Sequence, residues 1–199
     1  MSALLAAAAL TSGMVPVVDL PPVDGDPCAL VDAAQDTGDS ESTRFTLDDQ
    51  VRLVDIGQQD PRGARAHFGL SPDGTSVAVN LKSADPETNR YCLRLVVVAM
   101  DGSGIPRELD RGGEFIRSDF KLRDFSYVKA GYDRPNPPRW SPDGTRIAFL
   151  KRVDGSTQAW VAAADGKTPA RQVSFLPDDV DSVAWTPAGN GLMVGTRPS

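Results

Sequence analysis

HFGLSPDGTSVAVNL at residues 67–81 and PRWSPDGTRIAFLKR at residues 138–152 are two copies of one pattern, and a weaker third copy, VAWTPAGNGLMVGTR, occupies residues 183–197. In the first two copies a second match follows, with LVVVAMDGSG at 95–104 corresponding to AWVAAADGKT at 159–168. The turn chemistry is specific. Pro72 or Pro142 presets φ at the first central position, Asp73 or Asp143 suits the second, and Gly74 or Gly144 accepts a positive φ, which predicts a hairpin with a bulge. In the strand after it, Ile147 and Phe149 alternate with Arg146 and Ala148, as Val77 and Val79 alternate with Ser76 and Ala78, so one face is expected to be larger and apolar.

Each unit therefore reads strand, Ser-Pro-Asp-Gly turn, strand, link, strand, Asp-Gly turn, strand. Four short strands per unit at a regular period predict an all-β fold of β-propeller blades, WD40-like or TolB-like. Trp140 and Trp185 lie 45 residues apart, one blade period, and are expected to end equivalent first strands, with Trp160 in a third strand. Ser71 and Ser141 are 70 apart, and the surplus falls in residues 112–138, a blade insertion expected to leave the propeller face as a long excursion. Residues 44–199 without the insertion amount to about three blades, the last stopping after its second strand. Because closure takes at least about four blades, the expectation is a piece of a longer protein or a gene model cut short.

Working outward from the repeats, RFTLDDQVRLVDIG at residues 44–57 predicts a short N-terminal helix of two or three turns. Thr46 caps it with Asp49 three positions later, Leu47, Val51 and Val54 share a face, and Gly57 can end it. Residues 14–43 are rich in Pro, Asp, Gly and Ser and read as a flexible acidic lead-in. MSALLAAAAL at residues 1–10, with the small and polar residues up to 13, resembles the apolar core of a secretory signal, although no basic segment precedes it. Export would make the protein periplasmic or secreted. The run is too short to span a bilayer, and the GDPC context of Cys28 argues against a lipid anchor.

Composition excludes several classes. With 40% apolar and 24% charged residues the chain is of soluble globular type, and 18 Gly with 16 Pro favour turns over long helices. Eleven Asp and Glu against Arg44 and Arg52 give residues 1–60 a net charge of −9, while residues 61–199 come to +3. An overall −6 with no concentrated basic face argues against nucleic acid as partner. Cys28 and Cys92 are the only cysteines. Two distant thiols and one histidine build no metal site, and no cofactor is implied. In an oxidising compartment they could form a bridge worth roughly 4 kcal/mol in the chain-entropy model, anchoring the lead-in to the first blade; one free cysteine in the tail and one buried in a strand is the other reading.

Catalytic motifs are absent from the sequence. The only glycines four apart, Gly191 and Gly195, have Met193 between them, so there is no nucleophile elbow. His67, the sole histidine, precedes a turn and reads as a strand residue rather than a general base. Gly166-Lys167-Thr168 lacks the upstream glycine of a phosphate loop, since Val161 stands there, and reads as a hairpin turn. Asp178, Asp179 and Asp181 could attract a cation but read as a water-facing link between blades. The insertion alone has an unusual makeup. It interleaves Arg117, Lys121, Arg123, Lys129 and Arg134 with Phe115, Phe120, Phe125, Tyr127 and Tyr132, either to grip a peptide through cation and aromatic pairs or to pack its rings on the propeller.

The helix stretch RFTLDDQVRLVDIG leading into FGLSPDGTSVAV resembles the start of the propeller in prolyl-oligopeptidase-like (S9) serine peptidases. More narrowly, ADPETNRYCLRLVVV at 84–98, DRGGE at 110–114 and PRWSPDGTRIAFLKRVDGSTQAWVA at 138–162 resemble the lasso peptide isopeptidases of proteobacteria. The resemblance covers residues 44–199. It implies an N-terminal propeller followed by an α/β-hydrolase domain with a Ser-Asp-His triad. Such an enzyme hydrolyses the isopeptide bond of a threaded lasso peptide, and the propeller helps enclose and select it. No triad position carries over, because the hydrolase domain would lie beyond Ser199. On this reading Arg117, Arg123, Tyr127, Tyr132 and Arg134 are the candidates for substrate contact. A TolB-like periplasmic binding module without enzymatic activity, or a scaffold propeller acting through protein contacts, is the alternative.

Overall fold

The computed structural model describes residues 28–29, 45–57, 66–118, 121–122, 125–126, 132–134 and 136–196. Four strands, β1 (Phe68–Leu70), β2 (Ser76–Asp85), β3 (Arg90–Ala99) and β4 (Arg107–Arg111), form an antiparallel sheet in the order β1-β2-β3-β4. After the insertion, β9 (Arg139–Trp140), β10 (Arg146–Val153), β11 (Ser156–Ala163) and β12 (Arg171–Gln172) repeat that meander, and β13 (Val180–Trp185) pairs with β14 (Leu192–Thr196) as the first half of a third unit. Among the described residues the fold is thus two four-stranded propeller blades and two strands of a third. Trp140 and Trp185 end the first strands β9 and β13, and Trp160 lies in β11.

The Ser-Pro-Asp-Gly turns close on themselves. Ser71 Oγ donates to Asp73 Oδ1 at 2.6 Å and accepts from Ser76 N, while Thr75 N and Oγ1 both donate to Asp73. Ser141, Asp143, Thr145 and Arg146 repeat the set. Three donors on one carboxylate, Ser141 foremost, hold the Asp143 carboxyl down at about 2. In the third copy Ala188 stands where the aspartate was, and Thr186 Oγ1 donates instead to Asn190 Oδ1. Gly74, Gly144 and Gly189 all have φ near +70° at the same turn position, which only glycine adopts freely.

Blades stack through alternating sizes. Ile147 and Phe149 of β10 face the first blade, packing on Ala78, Leu95, Val97 and Leu109. Ala148 and Leu150, on the other face of the same strand, pack with Val180, Val183 and Leu192 of the third unit. The larger apolar face expected from the alternation is the one turned to the first blade; the other face is covered as well, and its small residue, Ala148, is as buried as Ile147. The inner strands are stitched by their tryptophans. Trp140 Nε1 donates to Gly69 O at 2.9 Å, and one blade on Trp185 Nε1 donates to Arg139 O at 2.8 Å.

The helix α1 (Leu47–Arg52) has the expected capping box, Asp49 N to Thr46 Oγ1 and Thr46 N to Asp49 Oδ2, but is six residues long and ends at Leu53 rather than Gly57. The physical reason lies in β2. Asp55 exchanges backbone hydrogen bonds with Lys82 at 2.8 and 2.7 Å beyond the end of β1, and Arg52 pairs with the buried Asp85 carboxylate at 2.7 Å, so the chain must be extended by residue 55. No residue of α1 is buried, and Leu47 is 80% exposed. Cys28 and Cys92 are joined in a disulfide with both residues fully buried, tying residue 28 to β3. No helix among the described residues is long and apolar enough to cross a membrane.

Candidate functional site

The two ends of the blades differ in chemistry. One rim carries the Ser-Pro-Asp-Gly and Asp-Gly turns, whose polar groups bond locally. The opposite rim carries α1, the disulfide, the 85–90 turn and the insertion, and there the charged residues bond across blades.

The insertion opens with a β-hairpin built of nested antiparallel ladders. The strands β5 (Arg117–Ser118) and β8 (Tyr132–Asp133) pair at its base, and β6 (Lys121–Leu122) and β7 (Phe125–Ser126) pair further out. Both feet of this hairpin are bound to the blades. Glu114 N donates to Arg152 O at 2.8 Å, and the Glu114 carboxylate accepts from Gly155 N and faces the Arg152 guanidinium at 3.4 Å. Arg152 in turn reaches Asp179 at 2.8 Å, and Asp179 also accepts from Thr157 N. On the other foot Asp133 pairs with Lys82 of β2, and Arg134 pairs with Asp181 at 2.5 Å while also donating to its carbonyl. Asn80 donates to Asn136 O at 2.9 Å.

Between this root and the blades lies a polar cleft of about 660 Å³, lined by Tyr91, Phe115, Arg117, Arg134, Arg152 and Asp181 among others. Phe115 stacks on Tyr91 with ring centroids 4.2 Å apart, and Lys82 Nζ and Arg117 Cζ stand 5.6 and 6.0 Å from the Phe115 ring centre. This half-buried aromatic floor beside cationic groups is suited to peptide surface: rings supply rigid area, and guanidinium groups donate to carbonyl or carboxylate oxygens. A second, tighter cleft of about 80 Å³ runs between the first two blades past His67 and the Asp110–Lys151 pair, which stands at 2.7 Å. It holds no more than a few waters. Burial pushes the Asp110 carboxyl up from its ordinary value, against the pull of the Lys151 ammonium.

Of the residues singled out in the sequence, Arg117 is exposed at the cleft, beside Phe115. Tyr132 pairs through its backbone with Ser118; its side chain, and all of Arg123 and Tyr127, lie outside the described residues. Arg134 is 10% exposed and its guanidinium is committed to Asp181, a structural rather than an open position. Asp179 and Asp181 are not simply water-facing, since each neutralises an arginine, and no cluster of metal-binding side chains occurs among the described residues. His67 makes no side-chain hydrogen bond among the described residues. The residues that sequence reasoning passed over are Lys82, Glu114, Asp133 and Arg152. Their only signal was a charge placed inside or beside an apolar strand pattern.

Meander blades with a Ser-Pro-Asp-Gly rim, a leading capped helix and a hairpin between blades define the class: the chain is homologous to the N-terminal β-propeller of prolyl-oligopeptidase-like (S9) serine peptidases. Within it, the lasso peptide isopeptidase AtxE2 of Asticcacaulis excentricus is 32% identical over 163 residues, which cover 79% of this chain and 23% of AtxE2. The solved structure of AtxE2 without ligand superposes with a TM-score of 0.68 at 33% identity, covering 79% of this chain and 24% of that one. An AtxE2 variant with an astexin-3 derivative bound gives 0.64 at 32% identity, over 74% and 22% of the two chains. The uncharacterized peptidase YuxL of Bacillus subtilis is 34% identical over 152 residues, 75% of this chain and 18% of YuxL. The chain thus spans about a quarter or less of the length of these relatives. No family model matches it.

Proposed function

We propose that the chain is the propeller part of a lasso peptide isopeptidase, a serine peptidase that hydrolyses the isopeptide bond of a threaded peptide, and that the hairpin rim of its blades receives that peptide. The observation that carries this reading is the match to AtxE2 over 79% of the chain, together with the polar, aromatic-floored cleft at the rim where the blade repeat is interrupted. In this reading the catalytic Ser-Asp-His groups come from a hydrolase domain that faces the same rim. The propeller's contribution is to enclose and select the substrate. Arg117 and Arg123 supply charge-assisted hydrogen bonds to substrate carbonyls or carboxylates, Tyr127 and Tyr132 supply rigid contact area, and Arg134 anchors the strand that carries Tyr132. The site of action is outside the cytoplasm, periplasmic or secreted, a reading supported by the disulfide, since reducing compartments keep thiols free.

The test is the full-length protein expressed from its gene and incubated with a threaded lasso peptide, with mass spectrometry reading the gain of one water and the opened ring. Arg117→Ala and Tyr132→Ala in that enzyme should raise KM by roughly 5- to 30-fold, the range for losing 1 to 2 kcal/mol of binding, with kcat retained. An enzyme that leaves threaded peptides intact while cleaving linear peptides refutes the isopeptidase reading. Unchanged KM in both variants refutes the assignment of the hairpin as the receiving surface.

A further inference from the structure

Asp133 and Arg134 are consecutive residues at the foot of the hairpin, yet their side chains bind different blades. Successive side chains of an extended chain point to opposite sides, and here the two sides are a blade apart. Asp133 reaches back to Lys82 in the first blade, and Arg134 reaches forward to Asp181 at the start of the third unit, so the foot straddles the second blade. Neither pair is a loose surface contact. The Lys82, Asp133, Arg134 and Asp181 side chains are 17%, 27%, 10% and 25% exposed, and Arg134 makes a second bond to the Asp181 carbonyl at 2.5 Å. The other foot ends on the same segment: Glu114 holds Arg152, and Arg152 holds Asp179, two residues from Asp181. Backbone bonds join the feet to each other and to the second blade, Arg134 N to Ile116 O at 2.9 Å and Glu114 N to Arg152 O at 2.8 Å.

We infer that Asp133 and Arg134 are positioning residues through which the first and third blades together set the placement of the β5–β8 ladder beside the cleft. The role in substrate capture rests on the reading of the hairpin as the receiving surface; the positioning itself does not. A hairpin joined only to its own neighbours in sequence would be held by β4 of the first blade and β9 of the second, with no tie to the third unit. This one is fixed by residues 82 and 181, which are 51 and 47 positions from their partners. Placement of Phe115 and Arg117 at the cleft therefore depends on how the first blade and the third unit stand relative to each other.

The experiment uses the full-length protein with Asp181→Asn and Lys82→Met, singly, and the charge-exchanged pair Arg134→Asp with Asp181→Arg. Hydrogen exchange read at the amides of Glu114 and Arg134 should quicken by about tenfold in each single variant, with the β2–β3 and β10–β11 ladders unchanged. The exchanged pair should recover part of that protection. In the same variants KM should rise while kcat stays, the split expected when substrate is received by a misplaced surface. Should Asp181→Asn not fold, Arg134→Lys removes the second bond while keeping the charge and serves in its place. Exchange at Glu114 and Arg134 that does not change in any variant overturns the inference. Quickened exchange with unchanged KM supports the positioning role and instead refutes the hairpin as the receiving surface.

Discussion

Gly69 sits in β1 where the exit of the insertion crosses the innermost strand, and a methyl group there has nowhere to go. A Cβ built on Gly69 lies 2.1 Å from the Pro138 carbonyl oxygen and 3.1 Å from its carbon, both backbone atoms of a segment held by Pro137 and Pro138 on one side and β9 on the other. Relief requires the first blade to slide by about an ångström against the second. That slide also stretches the hydrogen bond from Trp140 Nε1 to Gly69 O, now 2.9 Å. Overpacking of a dense site costs about 1–3 kcal/mol and a weakened hydrogen bond about 1 kcal/mol, so Gly69→Ala should lose about 2–4 kcal/mol, a large share of a typical domain's stability. Gly102→Ala is the control. It has a positive φ of +71° but nothing within 4 Å of the added Cβ, and should cost only the backbone strain of about 1–2 kcal/mol. Urea unfolding of the two variants beside the parent protein, with equal m-values, gives the comparison. A Gly69→Ala protein as stable as Gly102→Ala would show that the close approach is soft and that the blades are not locked at this crossing.

The disulfide should contribute about 4 kcal/mol for its separation of 64 residues, so Cys92→Ser should unfold at markedly lower urea, and alkylation before and after reductant should differ in mass by two modified thiols. Trp185→Phe removes the donor to Arg139 O and should cost about 1 kcal/mol in thermal unfolding, whereas Trp160→Phe removes an indole N–H that is buried with no partner among the described residues and should cost less. In acid, Asp143 and Asp110 act with opposite sign. Asp143 is held at about 2, below its ordinary 3.8, so its stabilisation is complete above pH 4 and is lost as pH falls through about 2; Asp143→Ala should flatten that acid limb in denaturant titrations. Asp110 is raised by burial, so its contribution is present below its ordinary value and fades as pH rises through the folded one; Asp110→Asn should remove that decline.

What could be read from the residues was whatever is local in sequence. The Ser-Pro-Asp-Gly turns carry their own hydrogen bonds within six residues, and so they announced strand, turn and strand wherever they occurred, including the degraded copy at Thr186. The Thr46 capping box was legible for the same reason. Where α1 stops was not, because Leu53 leaves the helix in answer to Lys82 and Asp85, some thirty residues on, rather than to Gly57. The two-sided burial of β10 was likewise hidden, since Ala148 is small enough to pass for the weaker face of an alternation. The root of the hairpin is the extreme case. Lys82 with Asp133 and Arg134 with Asp181 look like unrelated surface charges until the blades are stacked. The candidate contact residues were visible as composition, but the frame that orients them was not.

At the opposite rim the turns of successive blades rest on one another: a Cβ at Gly189 would stand 3.1 Å from Pro142 Cδ, one at Gly144 would stand 3.7 Å from Pro72 Cδ, and Arg146 reaches from one turn to the Gly189 carbonyl of the next at 2.7 Å. The pitch of the repeat is kept by this rim, in the same few atoms each time. With the pitch kept there, the chain between the two feet of the hairpin is at liberty to vary in length and chemistry so long as the feet meet the same docking partners. A propeller built this way is an interchangeable mount, whose blades can carry a different hairpin without being redesigned.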